Sequence, residues 1–172
     1  NPNYFGRIIA DGSNNWMSNG SAATGFGANP ASLVTNAIVL RNGGGLAFTG
    51  NSATLPNRRG FEIGPGLGQI NSSGTLTLAA PITGTGETLF NGSGTVRLTG
   101  AYTAGEVTVI NGVLRFTSSA TLAEGVQIGV QNLATLQAPP AILEAAASVV
   151  VASNGMLRVT DGAATPAVTC EA

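Results

Sequence analysis

The sequence predicts an all-β chain: a parallel β-solenoid of about six coils with a non-repetitive N-terminal segment. Two observations lead there. Apolar-x-apolar triplets return at Leu46/Phe48, Leu76/Leu78, Val96/Leu98, Leu114/Phe116 and Leu157/Val159, with a weaker copy at Leu136/Ala138. Their first positions stand 30, 20, 18, 22 and 21 residues apart. Asparagine keeps the same beat at Asn42, Asn71, Asn91, Asn111, Asn132 and Asn154, spaced 29, 20, 20, 21 and 22. Self-similarity at a fixed period of about 20–50 residues marks stacked units that bury a continuous core only together.

Residues 1–33 lack the period and hold the only tryptophan. They are expected to form a cap or an assembly segment, with Tyr4, Phe5 and Trp16 as candidate contacts. Residues 34–161 are expected to carry the repeats, and 162–172 a tail. Within a repeat, a second alternating triplet precedes the first, at Ile38/Leu40, Val107/Val109, Val126/Ile128 and Val149/Val151, with Phe61/Ile63 a more distant candidate. Each repeat therefore reads as two short strands whose alternate side chains face inward. The expected core includes Leu46, Phe48, Leu76, Leu78, Val96, Leu98, Val107, Val109, Leu114, Phe116, Leu157 and Val159.

The asparagines lie between or beside the strands. Asn tolerates left-handed backbone, so it suits a sharp bend, and successive bends would stack its amides into a ladder. Asn-Gly is also a strong hairpin signal, and VTVI-NG-VLRF fits one. A tight hairpin fixes its loop length, however. Here the interval from Asn to the next inward residue is three at Asn111 and Asn154, four at Asn42 and five at Asn71 and Asn91. Such slippage favours solenoid corners. The stretch AILEAAASVV has helical periodicity, but its β-branched run favours a strand.

Composition bounds the function. Of 172 residues 43% are hydrophobic and 9% charged, with 25 glycines and a net charge of -1. There is no lysine, so the positive field that nucleic acid or another polyanion requires is not expected. No apolar run approaches the ~20 residues of a membrane-spanning helix. A first residue of Asn without a signal pattern suggests a processed chain or a piece of a longer one. Cys170 is the only cysteine; it reads as a bystander thiol or a bridge to another chain.

The order of residues from Pro81 to Phe116, PITGTGETLFNGSGTVRLTGAYTAGEVTVINGVLRF, resembles the autotransporter-associated β-strand repeat of bacterial passenger domains. The likeness lies in I-x-G-x-G, then G-x-G-T-V-x-L-x-G, A-Y-T-A-G-x-V-T-V and N-G-x-L-x-F. The segment from Leu40 onward is similar to what leads into such a repeat, while 117–159 fit more loosely. Phe90 and Ala101 depart from the pattern, where the family often has Lys and Asn. The resemblance implies a right-handed parallel β-helix, exported to the cell surface or beyond in an adhesin-like protein.

Catalytic chemistry is sparse. Without histidine there is no Ser-His-Asp triad, Cys-His pair or common zinc site, and without lysine no Schiff base. No cofactor and no metal site is expected. Carboxylates remain: Glu62, Glu87, Glu106, Glu124 and Glu144 are 25, 19, 18 and 20 residues apart. That spacing reads as a solvated charge column along the corners, with Arg97 and Arg115 outward on a sheet face, in preference to a glycosidase acid–base pair. Threonines in TLTL and GTVRLTG read as strand formers on a solvated face rather than an ice-binding array.

A non-catalytic rigid spacer or adhesive surface is therefore expected, with the same chain's flanking repeats, further copies or host and matrix glycans as partners. The alternatives are a self-assembling fibre or sheath subunit and a polysaccharide-binding or -cleaving β-helix.

Overall fold

The structure, a computed structural model, describes residues 6–19, 26–131 and 133–160. These form a three-sheet parallel β-solenoid, about six turns deep. The first described turn contributes β1 (Ile8–Asp11) and β2 (Trp16–Asn19), and the second β3 (Val34–Arg41), β4 (Gly45–Phe48) and β5 (Ser52–Leu55). There follow β6 (Arg59–Ile63), β7 (Leu67–Ser72) and β8 (Thr75–Leu78), then β9 (Ile82–Gly84), β10 (Glu87–Asn91) and β11 (Thr95–Leu98). The next turns hold β12 (Ala101–Thr103), β13 (Val107–Val109) and β14 (Gly112–Phe116), then β15 (Thr121–Leu122), β16 (Gln127–Val130) and β17 (Ala134–Ala138). The last has a helix, α1 (Pro140–Ala145), before β18 (Ser148–Val151) and β19 (Met156–Val159). Sheet A is β1-β3-β6-β9-β12-β15, sheet B runs from β2 and β4 to β18, and sheet C from β5 to β19. All described pairings are parallel.

Alternation builds the core by stacking like on like. Ile38, Phe61, Ile82, Tyr102 and Leu122 lie in register on sheet A. On sheet B the column runs Met17, Leu46, Ile70, Phe90, Val109, Val130, Val151. On sheet C it runs Ala53, Leu76, Val96, Leu114, Leu136, Leu157. Each fully buried large apolar side chain contributes about 1.5–3 kcal/mol, so the columns dominate stability. Leu46, Phe48, Leu76, Leu78, Val96, Leu98, Val107, Val109, Leu114 and Phe116 are all 3% exposed or less. Leu157 and Val159 are only half-buried, because among the described residues β19 has a neighbouring strand on one side only.

Several expectations are corrected. A turn holds three strands, not two. The strands β9, β12 and β15 are two or three residues long. Each gives the core one large inward residue, Ile82, Tyr102 or Leu122, so no alternating triplet announces it. Leu46/Phe48 lies on sheet B, whereas Leu76/Leu78 lies on sheet C over Ala53 and Leu55. The 30-residue gap is thus a change of sheet, and not an insertion. The solenoid also begins well before residue 34, since β1 and β2 pair with β3 and β4. The tail at 162–172 lies outside the described residues.

AILEAAASVV divides into α1 and β18. Pro140 has no N–H to give a ladder but fits the first helical turn, and Ala, Leu and Glu propagate the helix. With Ile142 buried, α1 packs against β15 at the last strand of sheet A, which shields part of an otherwise open edge.

Glycine sets the corners. A Cβ on Gly94 would meet the Gly74 carbonyl oxygen at 2.1 Å, and one on Gly112 would meet that of Gly92 at 2.2 Å. Successive turns can approach this closely at the corner between sheets B and C only without side chains.

Candidate functional site

Sheet C presents an outer face with a one-sided charge. Its strands alternate, so the residues between core positions form outward columns. One column, in register, is Thr54, Thr77, Arg97, Arg115, Gln137, Arg158. Its companion runs Ser52, Thr75, Thr95, Val113, Thr135, Met156. Among the described residues, no strand of sheet C contains an acid. Arg97 and Arg158 are exposed and Arg115 half-buried. The enclosed Nε of Arg115 meets no hydrogen-bond partner among the described residues.

The other arginines are engaged. Arg7 reaches Glu62 at 3.4 Å, and Arg41 donates twice to Asp11 Oδ2, at 3.0 and 2.8 Å. Arg58 donates to the Ala31 carbonyl at 2.7 Å, and buried Arg59 to that of Gly6 at 2.9 Å. By contrast, no hydrogen bond or ion pair joins Arg97, Arg115 or Arg158 to the described residues.

The glutamates split into two groups. Glu87 opens β10, Glu106 immediately precedes β13, and Glu124 lies in the turn before β16, so all three sit where sheet A passes into sheet B. The Thr88 amide donates to the Glu106 carbonyl oxygen at 2.8 Å, which fixes Glu87 and Glu106 on adjacent turns. Glu62 is instead mid-strand on sheet A and Glu144 is in α1, so the single five-membered column expected from spacing does not form. Equal spacing in sequence did not reveal it, because turns differ in where their residues are spent.

The asparagines also divide. Asn42 lies between sheets A and B, while Asn71, Asn91, Asn111 and Asn154 lie at the passage from B to C. Asn42 and Asn154 take left-handed backbone, with φ of 53° and 65°. Asn71 and Asn91 are strand residues, paired in register. No described amide-to-amide bond links the column. The Oδ1 atoms of Asn91 and Asn111 instead accept from the next residue's own amide, Gly92 at 2.7 Å and Gly112 at 2.8 Å. Asn42 Nδ2 donates to Asp11 Oδ1 at 2.8 Å. That bond, followed by those from Arg41, holds the Asp11 carboxyl below its usual value. Asn132 lies outside the described residues.

Among the proposed assembly contacts, Trp16 stands outward on sheet B, in register with Gly45, whose missing side chain makes room for the indole. Its Nε1 donates to the Ser13 carbonyl at 3.2 Å. Tyr4, Phe5 and Cys170 lie outside the described residues. Farther along sheet B, Gly129 stands between Thr108 and Val150 and leaves a shallow depression edged by Glu106, Gln127 and Ser148. Among the described residues no three His, Cys, Asp or Glu side chains converge as a metal site. Among the described residues, no helix is long and apolar enough to cross a membrane.

Fold and surface define a three-sheet parallel β-solenoid with a cationic face. Compared with known proteins, the chain matches no protein-family model, no curated sequence and no solved structure.

Proposed function

We propose that the chain is a non-catalytic structural solenoid of a secreted or cell-surface bacterial protein, serving as a rigid spacer or adhesin-like surface. The observation that carries this reading is the unbroken inward column of sheet B from Met17 to Val151. Bending such a rod would separate packed side chains in every turn, and interiors resist that. At about 4.8 Å per turn the rod is roughly 30 Å long. The surface location rests on the likeness of Pro81–Phe116 to passenger-domain repeats, a stretch that spans two complete turns, β9 to β14.

Antibody against the solenoid is expected to label intact producing cells. Labelling only after permeabilisation would overturn the location. Incubation with polysaccharides is expected to release no new reducing ends; release abolished by Glu106→Gln would replace the spacer with an enzyme.

A second reading, a subunit of an extracellular fibre or sheath, is favoured by the last turn. There Val150 and Met156 are each 57% exposed, and Leu157 is half-buried. Light scattering that grows with protein concentration would support it.

A further inference from the structure

We propose that the arginine column on sheet C is a docking surface for a second copy of this chain, which presents to it the acidic corner between its sheets A and B. The proposal rests on the structural reading of the rod, and not on where the rod is located.

Like charges directly opposite across strands destabilise a sheet. Arg97 and Arg115 are such a pair, in register on adjacent turns, and Arg158 stands two turns beyond Arg115. With no acid on the sheet and no partner among the described residues, their charge calls for an outside counter-charge. The chain carries one. Glu87, Glu106 and Glu124 lie on three successive turns at the corner between sheets A and B. In the order of sheets around a turn, that corner is the one sheet C does not touch. The rod therefore offers cations on one side and carboxylates on the other.

Both columns rise by the same step, about 4.8 Å per turn, because both are set by the same strand spacing. A second rod placed beside the first with its axis parallel brings two carboxylates on successive turns, such as Glu87 and Glu106, against Arg97 and Arg115, with Gln137 opposite the third and Arg158 one turn further. The two surfaces are different patches, so the contact is heterologous and leaves a free cationic face and a free acidic corner at the outer rods. Such contacts propagate into open arrays. A polyanionic polymer is the weaker occupant, since a net charge of -1 gives it no long-range attraction.

The test uses the full chain and two charge-reversed variants, one carrying Arg97→Glu, Arg115→Glu and Arg158→Glu, the other Glu87→Arg, Glu106→Arg and Glu124→Arg. Circular dichroism first confirms that each is folded; where a triple variant does not fold, Arg97→Glu and Glu106→Arg singly take its place. In low salt the wild type is expected to sediment as concentration-dependent oligomers that dissociate in high salt. Each variant alone is expected to associate about tenfold more weakly or worse. An equimolar mixture of the two is expected to restore association, because each reversed surface then meets its opposite. Variants that associate like the wild type, or a mixture that stays monomeric, overturn the lateral contact and leave the spacer reading standing. A wild type that remains monomeric yet binds dextran sulfate, with binding lost in the Arg→Glu variant, also overturns it and assigns the face to an anionic polymer.

Discussion

The phenol of Tyr102 in β12 donates to Thr88 Oγ1 in β10 at 2.8 Å, joining two buried side chains on successive turns. The same oxygen lies 3.2 Å from the carbonyls of Gly105 and Glu106, at the corner between sheets A and B. Tyr102 thus fills the sheet A column with its ring while its polar tip answers a hydroxyl inside the rod. Tyr102→Phe is expected to strand the Thr88 hydroxyl and cost about 1–3 kcal/mol. Adding Thr88→Val should recover part of that loss. Urea unfolding of the four proteins in the cycle measures the coupling, and strictly additive losses would show that the bond is not structural.

Burial pushes the Tyr102 phenol well above its ordinary value of 10.0, with the Thr88 hydrogen bond opposing and the charge of Glu87 assisting. The unfolded chain therefore ionises this group first. Its stabilisation is complete below about pH 10 and declines as pH rises above that. Between about pH 9 and 11 the wild type is expected to lose more stability than Tyr102→Phe does. Equal slopes in the two unfolding series would place the alkaline sensitivity elsewhere.

Gly94 and Gly125 separate two uses of glycine. A Cβ at Gly94 would collide with backbone at 2.1 Å, whereas one at Gly125 has nothing within 4 Å and faces only its φ of 85°. Gly125→Ala is expected to cost about 1–2 kcal/mol of left-handed strain. Gly94→Ala should cost more, because the turns themselves must separate. Thermal melts of both variants give the order, and a reversal would mean that the corner is looser than its geometry.

Asn91 and Asn111 each cap a neighbouring glycine amide and are not bonded to one another among the described residues. Asn111→Ala is expected to cost about 0.5–1.5 kcal/mol, and Asn91→Ala a similar amount. The double variant should show the plain sum. A loss well beyond the sum would reveal a coupled amide ladder.

The contrast between Leu114 and Ala53 explains how much of the fold was legible. Leu114/Phe116 is flanked by large inward residues at the same phase, so the triplet announces its strand. Ala53, at the equivalent position of the second turn, is too small to register as a core signal, and attention shifts to Leu46/Phe48 one sheet earlier. The short sheet A strands were hidden for a related reason. A strand with one large inward residue has no period to detect, and only pairing with its neighbours defines it. The surface was less legible still: Arg97 and Arg115 could be read as outward, but Arg158 joins them only through the register of β17 with β19.

The sequence by itself determined that this chain stacks: apolar triplets, glycines and asparagines at a period near twenty leave strands that no single repeat can bury. It also leaves these 172 residues without the histidine of a Ser-His-Asp triad or the lysine of a Schiff base. Tertiary structure alone decided which sheet each strand joins, and so which charges share a face. The reason is that a solenoid pairs residues about one turn apart, and the length of a turn drifts by several residues along the chain. Period fixes the stack, while register, set by hydrogen bonds and by glycine at the corners, gathers Arg97, Arg115 and Arg158 on sheet C and Glu87, Glu106 and Glu124 at the corner between sheets A and B.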